Sequence, residues 1–354
     1  MPLQLSPWTV SVLPLPRLPR TSSVYPFGFC GDLPVGSCSG SSGTPKHCVW
    51  RGGVAELLAL PPKRRDVGVR LGRGHALPGY WTGSGARCAG GALLWRPDAQ
   101  GALQPQELPA TGWLSAEAWA VAGDVVVGHG KRKMNADDRP LVWRGGAEPE
   151  ELPAPEWDAN VTATDGTQHV GSTGGIPFTR AALWDGAART YVDLAPPGKG
   201  PMTAAQGVGD GQQVGILSEG GIATRAVLWH GTADSRVDLT PAGHVGASAW
   251  DCKRGLQVGV VQRRVLHHTD AQGEPALNEC YERAALWQGT ADSFVELHGV
   301  LPPELVTSTA RELRVEGERV RVFGWAQRRL KAPEANGDER GEPVAVIWEA
   351  TARG

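Results

Sequence analysis

The sequence predicts an all-β fold, a seven-bladed β-propeller with four antiparallel strands per blade, and three observations predict it. An apolar pair followed by tryptophan recurs seven times, at Trp50, Trp95, Trp143, Trp184, Trp229, Trp287 and Trp348. A glycine closing a short apolar run precedes each, at Gly36, Gly79, Gly128, Gly171, Gly215, Gly259 and Gly324. Successive tryptophans are 45, 48, 41, 45, 58 and 61 residues apart, the period of a propeller blade rather than of helical or leucine-rich repeats. Two stretches, TRAALWDGAARTYVDLAPPG (Thr179 to Gly198) and TRAVLWHGTADSRVDLTPAG (Thr224 to Gly243), are near copies. One packing geometry repeated around a ring accounts for such copying.

Within a repeat the elements follow in order. A run of small residues, such as SAEAWAV, TAAQGV or ASAWDC, reads as the innermost strand, where crowding at the axis favours small side chains. A turn pair follows, as at Gly123-Asp124, Asp165-Gly166 or Asp210-Gly211, of the kind that closes tight hairpins because it tolerates positive φ. The glycine-ended run (VVVG, QVG) is the second strand. The AxLW run is the third, with its Trp placed to pack between blades, where an indole buries about 150–250 Å². The fourth is VDL or a variant of it, with its acid at Asp193, Asp238, Glu296, Glu107 and Glu151. A basic residue opens the third strand at His47, Arg139, Arg180, Arg225 and Arg283. At a repeated position it is expected to pair with an acid or a carbonyl of its own blade, an exposed pair being worth about 0–1 kcal/mol.

A single domain spans 1–354, with blades at 22–60, 64–110, 114–154, 158–197, 201–241, 245–299 and 306–350. WTVSVLPLP (Trp8 to Pro16) resembles an outer strand lacking its blade, within a segment 7–16. AVIWEATARG, at the other end, is a third strand lacking a fourth. Pairing the two closes the ring and removes the edges an open array would expose.

Composition bounds the function. Of 354 residues 41% are apolar, enough for a core. Lys plus Arg number 35 against 37 Asp plus Glu, a formal charge of −2, which argues against a nucleic-acid partner or a polybasic membrane binder. No apolar run approaches the roughly 18 residues that span a bilayer. The N-terminus has no basic residues ahead of its apolar part, and prolines break each candidate signal-peptide core, which favours a cytoplasmic setting. The cysteines (Cys30, Cys38, Cys48, Cys88, Cys252 and Cys280) show no CxxC spacing and read as buried thiols rather than zinc ligands. No cofactor is implied, and the chain reads as a monomer.

Through RAALW, VDL, SAEA and VVVG the chain resembles the HAF-repeat family, whose units run His-Ala-Phe-apolar-Trp, then Asp-Leu-Gly, Ser-x-Ala and Val-Val-Gly strands. The resemblance covers nearly the whole chain and rests on sevenfold recurrence in fixed order. The leading His is replaced by Arg180, Arg225 and Arg283, the Phe by Ala or Val, and the Leu-Gly after Asp by Leu-Ala or Leu-Thr. Membership would imply a propeller-like repeat fold and often an extracellular setting. It carries no catalytic residues.

Function is sought where the copies stop agreeing. From glycine to tryptophan the gaps are 14, 16, 15, 13, 14, 28 and 24 residues, so neighbouring blades 6 and 7 carry long insertions, expected as loops, at Gln262 to Arg283 and Gln327 to Pro343. With the blade 3 loop HGKRKMNADDRP they place Lys131, Arg132, Arg263, Arg264, Arg328 and Arg329 on one face. These residues read either as an anion-recognising rim or, with acids following in each loop, as a solvated face. His267 and His268, with Asp270 and Cys280, invite a metal reading, but adjacent histidines on an extended segment point apart and no second cluster completes a ligand set; the two histidines stay with the binding loop. Trp113 and Trp157 fall in links between blades on the same face, as contacts for a sugar or partner or as caps of their blades. No nucleophile elbow, HExxH, P-loop or dinucleotide fingerprint appears. The reading is a non-catalytic binding or scaffold propeller that recognises a protein or carbohydrate through the loop face of blades 6, 7 and 3. The alternatives are a polysaccharide hydrolase or lyase using Glu117, Asp251 and Glu312 at the channel mouth, and a structural or assembly module.

Overall fold

The computed structural model describes residues 3–353 apart from 41–44, 63, 65, 71–74, 84–88, 156–157, 176–177, 188, 199, 220–223, 270–274 and 331–339. Of residues 66, 264–269, 275–280 and 340 it describes the backbone. Seven antiparallel sheets follow one another in chain order, each with its first strand innermost. Blade 5 is the pattern: Met202–Gly209, Gln212–Ser218, Arg225–Trp229 and Val237–Asp238 pair successively. Its first hairpin turns on Asp210 and Gly211, at φ 52° and 80°, the left-handed pair that a two-residue turn needs to match the strand twist. The outer strands are short, two residues in blades 3, 5 and 6.

The seven third-strand tryptophans are sealed between blades, none more than 2% exposed. The indole N–H explains part of their placement. Trp50, Trp143 and Trp184 donate to the carbonyls of Pro16, Pro109 and Pro153 at 2.8, 2.8 and 2.6 Å, each a proline just past the outer strand of the preceding blade. Around each indole lies an apolar cluster drawn from two blades; Trp143, for example, packs with Leu94 and Leu108 of blade 2 and Ala118 of its own blade.

The ring closes as the ends of the sequence require. Thr9–Pro14 is the outer strand of blade 7, paired from Thr9↔Glu349 to Pro14↔Val344. Gln4–Leu5 adds a second pairing, on Arg353 and Ala352 of the same strand, which the sequence pattern does not announce. Blades 7 and 1 are also clasped by Asp32, which accepts from Arg321 at 2.7 Å, and by an edge-on Phe29–Phe323 contact at 4.9 Å. Cys30, Cys38, Cys48 and Cys252 are buried thiols. No helix is long and apolar enough to cross a membrane.

Two expectations need correction. The insertions of blades 6 and 7 are not loops over the backbone described. Leu256–Thr269 and Pro275–Trp287 pair all the way to Thr269↔Pro275, and Arg319–Arg329 pairs with Arg340–Arg353. The insertions lengthen the second and third strands into ribbons, with two register shifts in blade 6 near Leu266. Nor do the small residues of the innermost strands face the axis: Ala116, Ala118 and Ala120 are buried against neighbouring strands and blades.

Candidate functional site: the central channel and the loop face

The landmark glycines locate the channel wall. Opposite them six inner strands carry one residue more than their partners: between Ala118 and Ala120, Val161 and Ala163, Ala205 and Gly207, Ala249 and Asp251, Ala310 and Glu312, and Pro26 and Gly28. Such a bulge kinks the inner strand and pushes a carbonyl toward the facing strand. A Cβ on Gly215 would fall on the carbonyl oxygen of Ala204, and Gly128, Gly171, Gly259 and Gly324 meet the equivalent oxygens. Glycine is required there for the space.

The extra residue turns toward the axis. It is Phe27 in blade 1 and Trp119, Thr162 and Gln206 in blades 3 to 5, followed by Trp250 and Arg311. Arg70 holds the same place in blade 2, one residue past the Val69↔Gly79 pair. Together these side chains line a cavity of about 280 Å³. All are half-buried, whereas Ala118, Ala120, Ala205 and Ala249 beside them are buried. The wall residue is therefore the one inner-strand position released from packing.

Each of the carboxylates considered for catalysis already has a hydrogen-bond partner. Glu117 accepts a hydrogen bond from the Arg70 guanidinium. Asp251 is buried and accepts from the backbone N–H of Cys252 at 3.0 Å and of Leu313 at 2.9 Å. Glu312 is buried and takes the Arg314 Nε–H at 2.6 Å. His129 Nε2 lies 3.9 Å from both Glu117 and Asp138, outside hydrogen-bond reach. Burial holds its imidazole below the usual value against the pull of Asp138 and Glu117, and Asp138 is compensated by Lys131 at 3.4 Å. Among the described residues no group of His, Cys, Asp or Glu is placed to hold a metal ion.

On the loop face the basic residues sit in ion pairs. Arg132 reaches Glu151 at 3.0 Å and lies 4.0 Å over the ring of Trp113, which is half-buried against the blade 2–3 core. Arg263 pairs with Glu296 at 3.0 Å and Arg328 with Glu304 at 3.6 Å; Arg329 is exposed. The side chains of Arg264, His267 and His268, and the whole of Trp157, lie outside the described residues. The basic residue opening the third strand meets the acid of the fourth in three blades: Arg139–Glu151, Arg180–Asp193 and Arg225–Asp238, at 2.8, 2.7 and 2.8 Å. His47 and Arg283 depart from the own-blade expectation. His47 reaches the Val67 carbonyl of blade 2 and Arg283 the Val306 carbonyl of blade 7, since Glu296 is taken by Arg263.

The channel residues escape a reading of the sequence because each sits inside what looks like a uniform small-residue strand. Their signal is one variable residue between small ones, as in Ala-Trp-Ala, Val-Thr-Ala, Ala-Gln-Gly and Ala-Trp-Asp.

No family model matches the chain, and none of the curated proteins matches it in sequence. Solved structures do resemble it. A putative TolB from Agrobacterium tumefaciens is 10% identical at a TM-score of 0.47, covering 85% of this chain and 94% of that one. A prolyl endopeptidase is 9% identical at a TM-score of 0.50, covering 92% of this chain and 48% of its own, and the Pyrococcus horikoshii acylaminoacyl peptidase is 13% identical at 0.45, covering 89% and 51%. The chain spans about half the length of these peptidases. At such identities the likeness is one of fold: a seven-bladed propeller.

Proposed function

We propose that this chain is a non-catalytic binding propeller that engages a protein or carbohydrate partner on the face from which the ribbons of blades 6 and 7 extend, with the Arg132–Trp113 pair of blade 3 on the same face. The observation that carries this reading is the pair of ribbons. They are the largest departure from the repeat, they stand on neighbouring blades, and their backbone is paired rather than loose, so little ordering entropy is lost on contact. The fates of Glu117, Asp251 and Glu312, each held by an arginine or by backbone N–H groups, favour binding over catalysis. The HAF-repeat resemblance belongs to the same proposal, and it too supplies no catalytic residue.

The test is to shorten the blade 6 ribbon by replacing residues 264–280 with an Asn-Gly turn, keeping the Arg263↔Tyr281 pair. Glycan arrays and partner capture are then compared with the intact chain at matched melting temperature. Loss of the specific partner on trimming is expected; an unchanged glycan and partner profile overturns the site.

A further inference from the structure

The two arginines of the channel wall are built alike, on either side of blade 1. Arg70 lies over the ring of Tyr80 at 4.5 Å and over that of Trp119 at 4.0 Å. Arg311 lies over Trp325 at 5.2 Å and over Trp250 at 3.8 Å. Tyr80 and Trp325 hold one equivalent position, the residue after the landmark glycine in the arginine's own blade. Trp119 and Trp250 are the wall residues of the adjoining blade. The other five blades place Ser37, His129, Ser172, Ile216 and Val260 after that glycine, so a tyrosine or tryptophan stands there only where the wall residue is arginine. Arg70 takes its second ring from the blade that follows and Arg311 from the blade that precedes. The two stacks are thus in mirror order about Phe27.

Ring packing alone does not call for this. Thr162 and Gln206 fill the same wall position in blades 4 and 5, without a charge to desolvate. A guanidinium laid between aromatic faces keeps its N–H fork in its own plane and loses little further freedom on binding, which suits two-point recognition of a carboxylate. Glu117 bonds the Arg70 guanidinium and fixes its rotation in the stack. The cavity, at about 280 Å³, is at the lower end of the range for small-molecule sites.

We propose that the central channel binds a small organic acid. Its carboxylate is taken by the guanidiniums of Arg70 and Arg311 flanking Phe27, and its body lies against the indoles of Trp119 and Trp250. This site is separate from the partner face proposed above, and neither depends on the other.

The experiment titrates the full chain at low ionic strength with benzoate, its neutral isostere benzamide, and phenyl phosphate, read by calorimetry and ligand-observed NMR. Benzoate is expected to bind with a dissociation constant of about 1 mM or tighter, and benzamide about tenfold more weakly or worse. Arg311→Gln and Arg70→Gln should each weaken benzoate about tenfold, as should Arg311→Lys, which keeps the charge but loses the fork. Arg180→Gln, on the third strand, should not change it. Equal affinity for benzoate and benzamide overturns anion recognition, and it needs no variant to fold. Tighter binding of phenyl phosphate overturns the carboxylate assignment, and absence of benzoate binding at about 10 mM overturns the site. None of these outcomes touches the ribbon-trimming result, so the two proposals fail separately.

Discussion

Two rings of seven residues run around this molecule, and they obey opposite rules. The outer ring, at the third strand, is tryptophan in every blade and sealed from solvent. The inner ring, at the bulge, uses five residue types for seven places and is half open. Both are fixed by the same strand register. Where a side chain is enclosed by equivalent neighbours in every repeat, the volume to be filled decides its identity, and in five blades the indole N–H adds a bond to a carbonyl. Where the scaffold presents a side chain to the channel, packing is indifferent and the sequence is free to differ. Repetition marks what the fold needs, and its local failure marks where the fold leaves the residue open.

The severest way to break this comparison is to open both rings. Removing residues 1–16 strips the outer strand from blade 7 and exposes the edge from Val344 to Glu349, as well as freeing the Trp50 indole from Pro16. The product is expected to aggregate or melt far below the intact chain, measured by light scattering and calorimetry. A soluble monomer with unchanged melting would show that closure is not required. Next in size is Trp143→Ala. It empties a site 0% exposed and orphans the Pro109 carbonyl, so a loss of about 3–5 kcal/mol is expected from the urea midpoint at constant m.

The glycines connect the two rings and should rank third. Gly215→Ala sets a Cβ against the Ala204 carbonyl, with the Ala205 Cα at 2.9 Å. Both are backbone and cannot step aside, so about 2–3 kcal/mol should be lost. Gly175, where an added methyl group would meet nothing within 4 Å, is the control: alanine there should cost little.

The fold is legible in the sequence because its determinants repeat. Tryptophan, glycine, turn pair and the VDL acid each recur at fixed spacing, and each does a local job that seven copies make unmistakable. The closing strand is legible for the complementary reason, as a fourth strand at one end and its absence at the other. The channel ring is not, because a bulge adds one residue without any turn residue to announce it. The pairing of Glu117 with Arg70, and of Asp251 with the Leu313 N–H, joins different blades and has no local pattern. The ribbons differ from the expected loops because the length of an insertion does not distinguish loop from strand. The run from Gln262 to Thr269 carries neither glycine nor proline to stop the strand.

Acid probes the sealed layer with a charge instead of a cavity. His169 pairs in register with Trp184, is 0% exposed, and shares a hydrogen bond at 2.7 Å with Thr164 Oγ1. Burial first, and then Arg144, depress its pKa from 6.5 to about 4. The unfolded chain takes up the proton near pH 6.5 while the native chain refuses it until near pH 4. Stability from this group is therefore complete above pH 6.5, falls between 6.5 and about 4, and levels off below. The loss is roughly 3 kcal/mol. His169→Gln should flatten that segment of the profile in pH-dependent urea melts, and a variant that keeps the wild-type slope there would assign the acid sensitivity elsewhere.

The smallest effect is also the sharpest test, because one blade carries both kinds of tryptophan. Trp119 stands 24 residues before Trp143 in the same sheet, with the same chemistry and the opposite environment. It is half-buried, its Nε1 has no protein partner among the described residues, and it meets the Arg70 guanidinium at 4.0 Å and the His129 ring at 5.6 Å. Trp119→Ala removes one cation–π stack and a partly exposed ring beside an open channel, which amounts to about 2 kcal/mol, less than Trp143→Ala. The same denaturation series measures both. If the two substitutions cost alike, the channel ring is a second packing layer and its variety carries no function. If they differ as expected, the variety at the axis is tolerated at smaller cost to the fold than any change in the sealed ring, as the proposed channel site requires.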